Sequence, residues 1–198
     1  MHNRIIDGSS RLKPGMELIL TRQIALLGTA LLAKQQEPRL LRRFPEAMVE
    51  EAKGFDVFAD TTKEQNLIQD LTEAEIFPLG EGGILAGLWK IADRAGVGMT
   101  ADLRKMTIRQ ETVEICEELD VNPYLLESSG ALLVGAAHGY ALAEELNQKG
   151  IPAVVIGRTD RGNDRIIYNQ DRRRFVDKPA KDELCRFFPN WKEQTQAE

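Results

Sequence analysis

The sequence predicts an α/β fold (α+β in the broader sense), a mixed β-sheet layered with helices. Three observations carry this. Two short, almost wholly apolar runs, Ala131 to Ala136 (ALLVGA) and Pro152 to Gly157 (PAVVIG), have the composition of strands buried on both faces. The stretch from Ile84 to Ala95 places Ile84, Leu85, Leu88, Ile91 and Ala95 at the one-sided spacing of a helix packed on a core. From Glu75 onward, strand-like and helix-like segments alternate.

In order, residues 1–13 are polar and read as a flexible segment, followed by a turn at Pro14-Gly15. Met16 to Thr21 (MELILT) suits a strand. Ile24 to Ala33 suits a loop or short helix lining the core, broken by Pro38. Arg39 to Arg43 alternates with leucines and reads as the solvated side of a helix. Pro45 to Lys53 has a helix start in its early proline and Glu46, and Gly54 stops it. Asp60 to Asp70 suits a surface helix, and Glu75 to Leu79 a short strand ended by Pro78. Val97 to Leu103 suits a strand. Thr107 with Gln110 forms a capping box for a helix reaching Asp120. A short turn follows at Asn122-Pro123. After the 131–136 strand, Gly139 to Lys149 is a helix with Leu142, Ala143 and Leu146 inward, ended by Gly150. The strand–helix–strand unit from Ala131 to Gly157 fits a right-handed parallel crossover. It lacks the three-glycine fingerprint of a dinucleotide-binding turn, so no Rossmann fold follows. Asp164 to Asn169 and Arg174 to Val176 are shorter strands joined at Gln170-Asp171. Asp182 to Phe188 suits a terminal helix, and residues 189–198 form a tail.

The composition narrows the function classes. A chain of 198 residues fits one domain, here 14–188, with peripheral extras. A formal charge of −5 argues against a general nucleic-acid binder. No apolar run reaches the length of a membrane span, and the first residues lack a signal-peptide core, so the expected location is the cytoplasm. Lys181 to Leu184 spells KDEL but is internal. Cys116 and Cys185 are too far apart for a metal motif, and Cys116 reads as a small core residue. The two histidines, His2 and His138, support neither a zinc site nor a Cys–His dyad.

The central stretch runs from Gly80 to Gly98 (GEGGILAGLWKIADRAGVG). Three glycines in four residues feed a helix N-terminus, where outward N–H groups and the helix dipole favour an anion. Two readings stand open. One is an anion cradle. The other is a tight turn with close helix-to-sheet packing, Gly83 and Gly87 lying one helical turn apart. Under the first, the ligand candidates are Gly80, Glu81, Gly82, Gly83 and Ile84, with Ser128, Ser129 and Gly130 nearby, and Arg109 or Arg158 could add charge.

The pattern resembles the C-terminal domain of the aminoimidazole ribonucleotide (AIR) synthase superfamily, which includes the hydrogenase-maturation dehydratase, thiamine-monophosphate kinase and selenophosphate synthetase. The matching pieces are KPGMELILTRQIALLGTALLA from Lys13, EGGILAGLWKIADRAGVG from Glu81, IRQETVEICEELDVNP from Ile108, SSGALLVG from Ser128 and IPAVVIGRT from Ile151. The likeness is greatest to the hydrogenase-maturation branch and to relatives described only as synthase-related.

The resemblance implies an enzyme of two domains, of which the N-terminal one forms much of the ATP site and the usual dimer. This chain is expected to lack that half. Relatives place an aspartate shortly before the glycine pair; here Phe77 and Pro78 stand there, and neither ligates magnesium or accepts a proton. The hydrogenase-maturation protein ends in a working cysteine, whereas this chain ends QTQAE. The expectation is therefore a stand-alone, non-catalytic binding or assembly module with no catalytic or metal-ligating residue of its own. Its partner would be a second copy or a separate N-terminal-domain protein, with no nucleic acid and no membrane. The alternatives are half of a split ATP-dependent enzyme, with ATP and magnesium bound only once a partner domain completes the site, and an independent small-anion-binding protein. The apolar face for a partner would be Ile24 to Leu32 with Met16 to Leu20, unless local segments between Phe55 and Asp70 fold over it.

Overall fold

The computed structural model describes residues 10–189 and Trp191. Its centre is a seven-stranded mixed sheet made of β1 (Glu17–Thr21), β2 (Glu75–Pro78), β3 (Gly98–Asp102), β4 (Leu132–Ala136), β5 (Ala153–Asp160), β6 (Arg165–Asn169) and β7 (Arg172–Phe175). The order across the sheet is β2-β4-β1-β5-β3-β6-β7. All pairings are antiparallel except β3 with β6.

Strand alternation sends side chains to two cores. Leu18, Leu20, Leu133, Ile156 and Ile167 face one side with α1 (Leu26–Gln35), α3 (Glu46–Lys53), α5 (Gly83–Ala95) and α6 (Gln110–Leu119). Ile19, Leu132, Val134 and Val155 face the other, against Ile68 of α4 (Thr62–Leu71) and Leu142, Ala143 and Leu146 of α7 (Gly139–Gln148). The two apolar runs of the sequence thus become strands walled on both sides, and β4 is buried along its whole length. The helix α1 is buried nearly all round, beneath α3, α6 and the 3-10 turn at Gly54–Phe58. That explains its lack of a polar stripe.

The strand–helix–strand unit is a parallel crossover as expected: β4 and β5 run parallel with α7 between them in the chain, and β1 lies between them in the sheet, antiparallel to both. The helix α1 stops at Gln35, ahead of Pro38, as expected. Pro38 lies in the first turn of the separate four-residue α2 (Glu37–Leu40), where a missing N–H costs nothing. Two readings are corrected. Thr107 does not cap α6; its hydroxyl donates to the Arg22 carbonyl at 2.6 Å, and Arg109 holds the cap position. The terminal helix is a 3-10 turn, Glu183–Arg186, capped by Asp182, which accepts from the Leu184 N–H at 2.8 Å.

The expected partner face is also reassigned. Leu18, Ile19, Leu20, Ile24, Leu26 and Leu32 are all at most 1% exposed, because β1 sits mid-sheet and α1 lies under its own neighbours. Phe55 is among the residues that cover it, as the rival reading anticipated.

Residues 10–13 pack on the sheet: Leu12 is buried over Gly135, and the Arg11 N–H donates to Glu75 at 2.7 Å. The rest of the expected flexible segment, 1–9, and all of the 189–198 tail except Pro189 and Trp191 lie outside the described residues. No described helix is long and apolar enough to cross a membrane.

Cys116 is a core residue whose thiol burial pushes up to about 12, while Cys185 is only half-buried. We expect a disulfide reagent at pH 8 to modify about one thiol in the folded protein and both in denaturant. Rapid reaction of two thiols without denaturant would contradict the placement of Cys116.

Candidate functional site

The glycine turn sits where β2 hands over to α5. Gly82 and Gly83 both have positive φ, at 80° and 65°, so two successive left-handed residues swing the chain into the helix. The Gly83 N–H donates to the Gly80 carbonyl at 3.0 Å, and the same carbonyl receives the Ser128 N–H at 3.2 Å. At the far end of α5, Gly96 adopts the left-handed conformation of a helix stop, with φ 68°.

The segment Tyr124 to Ser128 runs between the starts of two helices. A β-carbon on Gly83 would lie 2.6 Å from the Tyr124 carbonyl and 2.7 Å from that of Leu126. From the other side, one on Gly28 would lie 2.7 Å from the Glu127 carbonyl, which the Gly28 N–H also approaches as donor at 3.0 Å. Glycine at both positions lets α1 and α5 close on that backbone. One turn further along α5, Gly87 makes room for Leu79.

The structure brings Gly80, Gly82, Gly83, Ser128 and Ser129 together, and it uses their polar groups internally. The Ser128 hydroxyl is fully buried; it accepts from the Ala25 N–H at 2.9 Å and donates to the Leu126 carbonyl at 2.8 Å. Ser129 gives both its N–H and its hydroxyl to the Glu127 carboxylate, at 2.8 and 2.6 Å. Gly130 faces elsewhere, toward the Phe58 carbonyl, and the Ile84 side chain is fully buried in the core. Glu81 is exposed, and its carbonyl accepts from Lys90 at 3.4 Å. Neither arginine is recruited: Arg109 lies over Phe55 and pairs with Glu51, and Arg158 donates to the Gly15 carbonyl.

Sequence reasoning missed Asp182. Its carboxylate accepts the Gly82 N–H at 2.6 Å, and also receives the N–H groups of Leu184 and Glu127. The chain thus supplies its own anion to the glycine turn, from one hundred residues away. The sequence offers Asp182 only as the first residue of a terminal helix, and nothing local marks its link to Gly82. Burial raises the carboxyls of both Asp182 and Glu127 above their ordinary values, and the neighbouring charge of Glu81 pushes each further up. Three carboxylates around one turn make it acidic, which disfavours a second anion.

A mixed seven-stranded sheet with helices on both faces and a glycine turn opening α5 defines an α/β domain of the AIR synthase C-terminal type. The chain belongs to that family: the model described as AIR synthase related protein, C-terminal domain, matches residues 13–169. Carbamoyl dehydratase HypE of Rhodobacter capsulatus is 32% identical over 84 residues, covering 40% of this chain and 25% of that protein. A crystal structure of a HypE–HypF complex superposes with a TM-score of 0.62 at 19% identity, covering 84% of this chain and 54% of that one. A structure of the hydrogenase maturation protein HypE in complex with ATP gives 0.66 at 15% identity, covering 89% and 54%. The chain spans about half the length of these solved relatives.

Proposed function

We propose that this chain is a binding or assembly module of the AIR synthase-related type that performs no phosphoryl transfer by itself. The observation that carries this is the occupied glycine turn: the Gly82 N–H is bonded to Asp182, and Glu127 takes the donors of Ser129. Two further features support it. Phe77 packs against the core and Pro78 is exposed, so neither offers a group for magnesium or a proton. The candidate turn residues serve packing between α1, α5 and the 124–128 segment.

A protein partner fits this reading, whether a second copy or a polypeptide with the N-terminal type of domain. The HypE–HypF complex is a precedent for assembly by a protein of similar fold. An open concave surface of about 290 Å³ on the α7 side of the sheet, rimmed by exposed Tyr140 and Tyr168, offers a place for it. Tyrosines are enriched at such contacts because they join apolar area to a polar tip.

The second reading is a split ATP-dependent enzyme, favoured by the ATP complex of a similar fold. The two readings separate in one experiment. We expect the purified chain to release no phosphate from magnesium–ATP above background, alone or mixed with a purified N-terminal domain of this family. Release that co-purifies with the chain and scales with its concentration would overturn the module reading. Release only in the mixture would establish the split enzyme.

A further inference from the structure

The family match ends at Asn169, and the β6–β7 hairpin continues past it with three consecutive arginines, Arg172 to Arg174. The sequence alone makes them a solvated charge run. Pairing places Arg172 opposite Asn169 and Arg174 opposite Ile167, so these four share one face of the sheet. That face borders a cleft of about 490 Å³, closed on the other side by Leu103, Asn122 and Tyr124.

The cleft joins two chemistries. Ile167 and Leu103, 1% and 7% exposed, form an apolar floor. Arg172 and Arg174 rise at the wall, and among the described residues neither makes an ion pair or a side-chain hydrogen bond, whereas Arg104 and Arg165 nearby are paired with Asp102 and Asp93. Arg173 lies over the ring of Phe175. The Asn122 side-chain oxygen accepts the Tyr124 N–H at 3.1 Å, so the donor that Asn122 brings to the cleft lining is its amide NH₂ group. A concave site of this size with an apolar floor and a few converging donors is the usual form of a small-ligand site. Planar guanidinium groups suit the paired oxygens of a phosphate.

We propose that this cleft binds a small organic phosphate, with the phosphate held by Arg172 and Arg174 and the organic part resting on Ile167 and Leu103. The site is separate from the glycine turn and does not depend on the module reading.

The test titrates the full chain with phenyl phosphate and, separately, with inorganic phosphate, followed by amide NMR. Shifts are expected at Asn122, Tyr124, Ile167, Asn169 and residues 172–174, and not at 80–84. Phenyl phosphate should bind more tightly than the inorganic ion, and Arg172→Gln with Arg174→Gln should weaken it about tenfold or more. Both arginines are exposed, so the double variant should fold, and Arg158→Gln on the opposite face serves as the unaffected control. Tyr124 adds an optical reading. Burial holds its phenol up, and the Arg174 charge opposes this. A bound phosphate offsets that charge, so the Tyr124 phenol should titrate higher still, and Tyr124→Phe should lose the signal. Equal affinity for the two probes, binding unchanged in the double arginine variant, or shifts centred on 80–84 would each overturn the proposal.

Discussion

Gly83→Ala is expected to lower stability by about 4 kcal/mol. Two costs add. A left-handed backbone is strained for alanine by about 1–2 kcal/mol. The new β-carbon then meets the Tyr124 and Leu126 carbonyls at 2.6 and 2.7 Å, and forcing backbone apart in a packed region costs about 1–3 kcal/mol more. Gly150→Ala isolates the first cost. Gly150 also has positive φ, 80°, but nothing lies within 4 Å of its virtual β-carbon, so that variant should lose only about 1 kcal/mol. Urea unfolding of the pair gives the packing contribution as a difference. Similar losses in both would show that the 124–128 segment yields freely and that the close approach of α5 to it is not constrained.

Asp182→Ala is expected to cost about 3 kcal/mol at acid pH. The variant leaves the N–H groups of Gly82, Leu184 and Glu127 without their acceptor beside a buried helix start. Each unsatisfied buried donor carries a penalty of about 1–3 kcal/mol, part of which water entering the space would relieve. The pH dependence is the sharper test. Burial raises the folded Asp182 carboxyl above its unfolded value of about 3.9. The folded state therefore keeps its proton longer than the unfolded chain. The stabilisation from that proton is complete below the unfolded value and is lost as pH rises through the folded one. The gap between wild type and variant should accordingly be widest in acid and narrow toward neutral pH. Glu127 is raised for the same reason and partly by Asp182 itself, so the variant should also flatten its contribution. A gap that widens with pH would mean that the three N–H donors outweigh burial and hold Asp182 ionised.

These variants also separate architecture from ligand binding. If the glycine turn is chiefly a packing device, both should act on stability and leave the phenyl phosphate affinity of the β6–β7 cleft unchanged in the folded fraction.

The sequence by itself determined what depends on neighbours along the chain. Apolar runs at 131–136 and 152–157 specified strands, because continuous burial needs no polar alternation. The spacing from Ile84 to Ala95 specified α5, and Gly96 and Gly150 specified where helices stop. The matching pieces from Lys13 to Thr159 pointed to the family to which the chain belongs. The tertiary structure decided what depends on residues brought together from afar. It inserted β1 between β4 and β5, since a strand from the start of the chain can pair with both only after the sheet assembles. It diverted Thr107 from a helix cap to the Arg22 carbonyl. It set Arg172 and Arg174 on a cleft wall and turned Arg173 to the other face, because strand register, not charge density, chooses which face a side chain takes. Above all it placed the Asp182 carboxylate on the Gly82 N–H. A glycine turn before a helix has the same local signature whether its donors await a ligand or are met by the protein, since both need the same backbone and the partner's position is fixed only by the fold.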